Sequence, residues 1–301
     1  MKLNERPNML ILNDLLQPAI QCSAALSEIE EEASKGALSE VVRHGLLVLA
    51  VAHFETMVLD TLRCYLLAIP EKIPKQGMTV AKEDLLAHPF DLIEVQVDKF
   101  LRSAAYDGLS DILRQFCDLL SLDDANHQSL AKPVREIKAS RNILLHNKLV
   151  TNGAYLEQAG ESRRAKEEGK KLNIDRTYLD NSVRAFASVV SEMKCLMQAK
   201  YASYTKLAAI RRLWDFCFKS PVMPFEDFWT VNEDRDCIVS SKRGRCEDGL
   251  SGSETVFLGV WRTHFNAYRP DLKPIYIRGL DEHHQAKLFF LLSVFRHLWL
   301  E

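Results

Sequence analysis

Between Leu46 and Ile69 the chain carries an apolar run near the length of a membrane span, yet His53, Glu55, Asp60 and Arg63 interrupt it. Ionisable groups at that density are hard to reconcile with a lipid-facing helix, and they predict instead a buried helix of a soluble core with no membrane association, running from about Leu38 to Ala68. A helix this apolar must be covered by other elements. The first two-thirds of the chain supplies them. From Asn8 to about Ala33, apolar residues recur at 9, 12, 15, 16, 19, 20 and 26, and Gly36 separates that helix from the long one. Residues 69–77 read as a loop from their two prolines and one glycine. Further helices are expected over 90–105 and 109–120, then from Pro133, placed in a first helical turn, to about Val150. Residues 157–171 are charged with almost no apolar partner and predict an exposed loop or a mobile, partly helical lid. Asp175 is expected to cap a helix to about Ala199, and another runs from about Ser203 to Lys219.

The texture changes at residues 220–224. Short runs with β character follow at Phe228–Val231, Cys237–Ser240, Thr255–Trp261 and Ile275–Ile277, before a final amphipathic helix opening at Asp281. The fold expected is mainly α: a helical bundle over residues 1–205 followed by a small α+β region over 206–301 of unassigned role, with the boundary near 205–222.

Composition sets outer limits. A net charge of -2 rules out a strongly basic nucleic-acid coat while leaving room for a local basic patch. Seven widely spaced cysteines without a C-x-x-C, and a start that lacks the pattern of a signal peptide, suit reduced thiols in a cytoplasm. Cys237, Cys246, His264, His283 and His284 could be drawn into a zinc site, but their spacing lacks the tight knuckle of structural zinc motifs. No metal or cofactor is therefore expected. Glycine-rich phosphate loops, H-E-x-x-H and G-x-S-x-G are all absent from the sequence.

Polar groups on apolar stripes carry the strongest functional signal. The stripe Leu130, Val134, Ile137 continues at helical spacing onto Arg141, and a guanidinium facing a core needs an acceptor. A polar face beside it runs Arg135, Lys138, Asn142, His146. With Lys132 and Lys148 against the lone Glu136, residues 131–148 form a basic patch in a nearly neutral protein. Glu55 lies among Val48, Val51, Val58, Leu59 and Leu62 on the long helix, so it is expected to be paired, with Arg141 the natural candidate. Such a pair also arises as a purely structural tie between two helices.

The segment Arg141 to His146, RNILLH, with Asn142 directly after the arginine, resembles the R-x(4–6)-H motif of the HEPN superfamily (higher eukaryotes and prokaryotes nucleotide-binding). Residues 48–60, VLAVAHFETMVLD, resemble the early helix of that family, in which an acidic residue often faces the motif arginine. The resemblance covers roughly residues 38–200. It implies a helical bundle that dimerises and, with an intact motif, cuts RNA without a metal. The activity implied is endoribonuclease cleavage by 2′-OH transesterification, in a bacterial defence or toxin-like effector that an antitoxin or defence complex could control. His146 then serves as base or acid near neutral pH, Arg141 binds the phosphate, and Asn142 holds the phosphate or fixes the histidine tautomer. Glu55 supports Arg141, while Arg135, Lys138 and Lys148 meet the RNA backbone. One imidazole per chain leads to the expectation of a two-fold homodimer with a composite site. The alternative is a non-catalytic HEPN nucleotide-binding or dimerisation module in a larger complex.

Overall fold

The structure, a computed structural model, describes residues 8–74, 92–106, 108–123, 125–218 and 225–241. The expected β runs at 255–261 and 275–277, the final helix and four of the five zinc candidates lie outside them; the fifth, Cys237, opens a described strand, with its side chain outside the description. The described chain is mainly helical: α1 (Leu12–Ser34), α2 (Glu40–Ala68), α3 (Leu92–Ala104), α4 (Leu109–Leu119), α5 (Ala125–Asn147), α6 (Gly153–Ala159), α7 (Arg176–Tyr201), α8 (Lys206–Phe218) and a single turn, α9 (Phe225–Phe228). An antiparallel hairpin, β1 (Trp229–Asn232) and β2 (Cys237–Ser241), follows with a register shift after Thr230.

The chain divides into two compact units, one of residues 15–63 and 99–202, the other of 1–14, 64–98 and 203–301. In the first, α5 packs against α4, α6 and α7. The reason is visible in α4, where Leu109, Ile112, Leu113, Phe116 and Cys117 recur at 3–4-residue spacing and are all buried. Leu47, Phe54 and Val58 of α2 are closed over by protein, with Phe54 meeting Phe186 of α7 at 5.0 Å between ring centroids. Each such large side chain contributes about 1.5–3 kcal/mol by leaving water. By length and composition α2 could cross a membrane, and 50% of its most apolar window is buried inside the protein. α1 ends in the bend 35–37, where Gly36 adopts a left-handed φ of 69° that a side chain would oppose.

One expectation needs correcting here. Pro133 is not in a first helical turn: α5 begins at Ala125 and carries Pro133 in its interior. A mid-helix proline forfeits one backbone hydrogen bond at a cost of about 3 kcal/mol. Burial of Leu130, Ala131, Val134 and Ile137 on either side of it offsets that cost. Residues 157–171 are the exposed, partly helical stretch expected. After α6 and a 3-10 turn (Gly160–Ser162), residues 163–175 run as an irregular strap with fixed anchors. Lys170 accepts from Thr151 N at 2.9 Å, Leu172 N donates to Leu149 O at 2.8 Å, and Ile174 is fully buried. Asp175 caps α7 as expected, accepting from Tyr178 N at 2.8 Å.

In the second unit, Asp236 of the hairpin turn accepts from the first two amides of α8, Lys206 N at 2.6 Å and Leu207 N at 2.8 Å. Arg212 donates to the carbonyls of Asn8 and Leu10, and burial lowers its pKa from the usual guanidinium value.

Thiol reactivity offers a check on this packing. Cys22 is buried and desolvation pushes its pKa up to about 12, while Cys195 is exposed. Iodoacetamide near neutral pH is expected to label Cys195 in the native protein and Cys22 only after urea unfolds it, as read by peptide mass mapping. Equal labelling rates for the two would contradict the packing of α1.

Candidate functional site

α5 presents two polar surfaces on opposite sides, and they do different things. On the outer side, an open cleft of about 840 Å³ lies between α5, α6 and the turn joining α3 to α4, and Glu55, Arg135, Lys138, Arg141, Asn142 and His146 all border it. The expected pair is present: Arg141 Nη2 donates to Glu55 Oε2. Both side chains remain about one-fifth exposed, so they form the wall of the cleft rather than a sealed interior contact. Arg141 Nη1 also donates to Asn142 Oδ1 at 3.0 Å, while its buried Nε has no partner among the described residues. The guanidinium is thus aimed by a carboxylate and an amide, with N–H groups to spare.

Asn142 passes the chain of contacts to α6, donating from Nδ2 to Gln158 Oε1 at 3.1 Å. His146 is exposed on the last turn of α5, and its imidazole has no hydrogen-bond partner among the described residues. The basic residues are less free than the sequence suggests. Lys138 Nζ lies 2.7 Å from Glu55 Oε1, so one carboxylate holds two cations. Arg135 donates from Nε to Ser110 Oγ at 3.0 Å. Lys148, exposed in the turn after α5, does not border the cleft. Asp111 and Glu157 do, so with Glu55 the wall has as many carboxylates as guanidinium and ammonium groups, and it is not a uniformly basic groove.

The inner side holds a cluster that sequence reasoning missed. Glu136 is only 7% exposed, and its carboxylate accepts from four donors: Ser140 Oγ at 2.5 Å, Tyr155 Oη at 3.0 Å, Arg164 Nε at 2.9 Å and Tyr178 Oη at 2.8 Å. Arg164 comes from the strap. It also donates to Ser140 Oγ and Asn173 O, and its guanidinium lies 3.7 Å from the centroid of the Tyr178 ring. Burial, reinforced by the Glu136 charge, raises the Tyr178 pKa well above its ordinary value; burial raises that of Tyr155 too.

Tyr155 joins the two sides, because it borders the cleft and also donates to Glu136. The cluster thereby seats α6, and with it Gln158, against α5. Gly160 ends α6 at φ 55°, and a Cβ there would press to 3.3 Å from Arg135 Nη1, so a side chain at this position would be both strained and crowded. A signal for Glu136 did exist in the sequence. Positions 136, 140 and 143 continue the buried face one step to the side of the 130, 134, 137 stripe.

Among the described residues no three His, Cys, Asp or Glu side chains converge in a way that could hold a metal ion. Comparison with protein-family models, with curated proteins and with solved structures finds no match to this chain.

Proposed function

We propose that this protein is a HEPN-type endoribonuclease that cleaves RNA by metal-independent transesterification in the cleft on the outer side of α5. The observation that carries the reading is the convergence on one open cleft of Arg141, aimed by Glu55 and Asn142, and an exposed, unpartnered His146. Those residue types match what the chemistry requires. A base takes the proton from a ribose 2′-OH, and the 2′-oxygen attacks the adjacent phosphorus. A cation stabilises the charge on the phosphorane. An acid then protonates the 5′-oxygen as the P–O5′ bond breaks, leaving a 2′,3′-cyclic phosphate and a 5′-OH. Arg141 can offer its remaining N–H groups to the phosphate while Glu55 holds the other edge of the guanidinium.

One cleft has one imidazole of its own, and the reaction uses an acid and a base. A two-fold homodimer would bring in His146 of the partner subunit without a second motif. Leu145, adjacent to His146 and 52% exposed, is an apolar group that such a partner would cover. In this reading the chain acts in the cytoplasm as a toxin-like or antiviral defence effector, restrained by an antitoxin or a larger complex. A second reading, a non-catalytic nucleotide-binding or dimerisation module, draws on Glu55, which ties up Lys138 and Arg141 together as a purely architectural carboxylate would.

Incubating the purified protein with total RNA in EDTA and mapping the ends separates the two readings. The nuclease is expected to leave cyclic phosphate ends in EDTA. Cleavage that vanishes in EDTA and returns with magnesium, or no cleavage of any RNA, would remove the first reading. Mixing wild type with excess His146→Ala protein tests the composite site: activity is expected to fall faster than dilution. A linear fall with the wild-type fraction would argue for a site complete in one chain.

A further inference from the structure

The cleft contains more than the phosphate chemistry needs. Tyr106, in the turn after α3, is 92% exposed and borders the same cleft as Arg141 and His146. A single exposed aromatic is ordinary on a protein surface, but one standing free at the edge of a cleft is not explained by packing. Its backbone is anchored, with Tyr106 N donating to Ser103 O at 3.1 Å, while the ring has no ring–ring or cation contact among the described residues. The same cleft is bordered by amide side chains with unused hydrogen-bonding capacity. Gln158 uses its Oε1 to accept from Asn142, and Asn152 uses its Oδ1 to cap α6, so their N–H groups remain for a ligand. Asn147 uses its Nδ2 on Val150 O, which leaves its carbonyl oxygen as an acceptor.

An aromatic face plus amide donors and an acceptor is the chemistry that recognises a nucleobase, whose flat face stacks and whose edge hydrogen-bonds. We propose that Tyr106 is the stacking platform for an unpaired base next to the scissile phosphate, with Gln158, Asn152 and Asn147 facing the edge of that base, so that the cleft selects single-stranded over duplex RNA. The proposal deepens, and rests on, the reading of this cleft as an RNA-cleaving site. Duplex RNA is excluded because its bases are already stacked on their neighbours and cannot receive the ring. Tyr106 and the amides supply the sequence-tolerant attraction that the balanced charges of the cleft do not.

The test is binding, so that it does not depend on cleavage. The probe is a fluorescent single-stranded RNA with every ribose 2′-O-methylated, which removes the nucleophile, and the readout is fluorescence anisotropy with the full chain. Tyr106→Ala is expected to weaken binding roughly ten-fold or more, and Tyr106→Trp, with a larger face, to restore or tighten it. Because the ring is exposed, circular dichroism is expected to show both variants folded as wild type. An abasic residue walked along the probe is expected to cost wild type about the same factor at one position and to cost Tyr106→Ala nothing there. The matching duplex is expected to bind at least ten-fold more weakly.

Tyr106→Ala binding within two-fold of wild type, equal affinity for duplex and single strand, or no binding of the probe by wild type would each overturn the proposal. Tyr106-dependent binding without cleavage of unmodified RNA would support the stacking subsite while removing the nuclease reading. Cleavage with affinity independent of Tyr106 would do the reverse.

Discussion

Glu136→Ala is expected to destabilise the bundle by about 2–3 kcal/mol, the cost of leaving the donors around a buried carboxylate unsatisfied, and to lower the melting temperature by roughly 5–10 °C. Removing the carboxylate strands four donors at once: Ser140, Tyr155, Tyr178 and the Arg164 guanidinium. Arg164, its side chain 25% exposed, keeps its contacts to Ser140 and Asn173 O, and the strap that carries it is also held by backbone bonds to Thr151 and Leu149. The double variant Glu136→Leu/Arg164→Leu is expected to be more stable than the sum of the single variants, since Arg164→Leu alone leaves the Glu136 carboxylate buried without its cation. Thermal melts of the four proteins would measure this coupling. Additive losses would mean that the pair makes no special contribution.

The same cluster sets an alkaline limit. Tyr155 and Tyr178 have folded-state pKa values raised above the ordinary phenol value of 10, burial being the first cause for both. A group whose folded pKa is raised stabilises the native state fully below its unfolded pKa and loses that contribution as the pH climbs toward the folded one. Stability is thus expected to fall above about pH 10, and Tyr178→Phe, which cannot ionise, is expected to fall less steeply.

His146→Ala is expected to reduce RNA cleavage by about 10²–10⁴-fold, the usual worth of a general acid or base, with no measurable loss of stability. The side chain is exposed and without a partner among the described residues, so the fold does not depend on it. Overexpression of wild type is expected to harm its host, and this variant to be tolerated. Glu55→Ala makes an instructive contrast. It leaves Lys138 and Arg141 side by side without the carboxylate they share, so both stability and activity are expected to fall. Full cleavage by His146→Ala would end the catalytic assignment. A stable but inactive Glu55→Ala protein would mean that Glu55 takes part in proton transfer rather than in holding Arg141.

How much of this was legible before the fold depends on the range of each interaction. Periodicity is local, so the helices over 12–34, 40–68, 92–104, 109–119 and 176–201 were visible in the spacing of their apolar residues, and the Asp175 cap in its position at a helix start. The meeting of Glu55 with Arg141 was legible across 86 residues because each was a charge at odds with its own stripe, and two such charges need one another. Only the tertiary structure decided that Lys138 shares Glu55, that Pro133 sits inside α5, and that the charged stretch after α6 is tied down through Arg164. The chain itself marks none of these. A buried polar partner supplied from 28 residues away leaves no period in the sequence, and a proline interrupts a helix on paper until the packing on both sides of it outweighs one lost hydrogen bond.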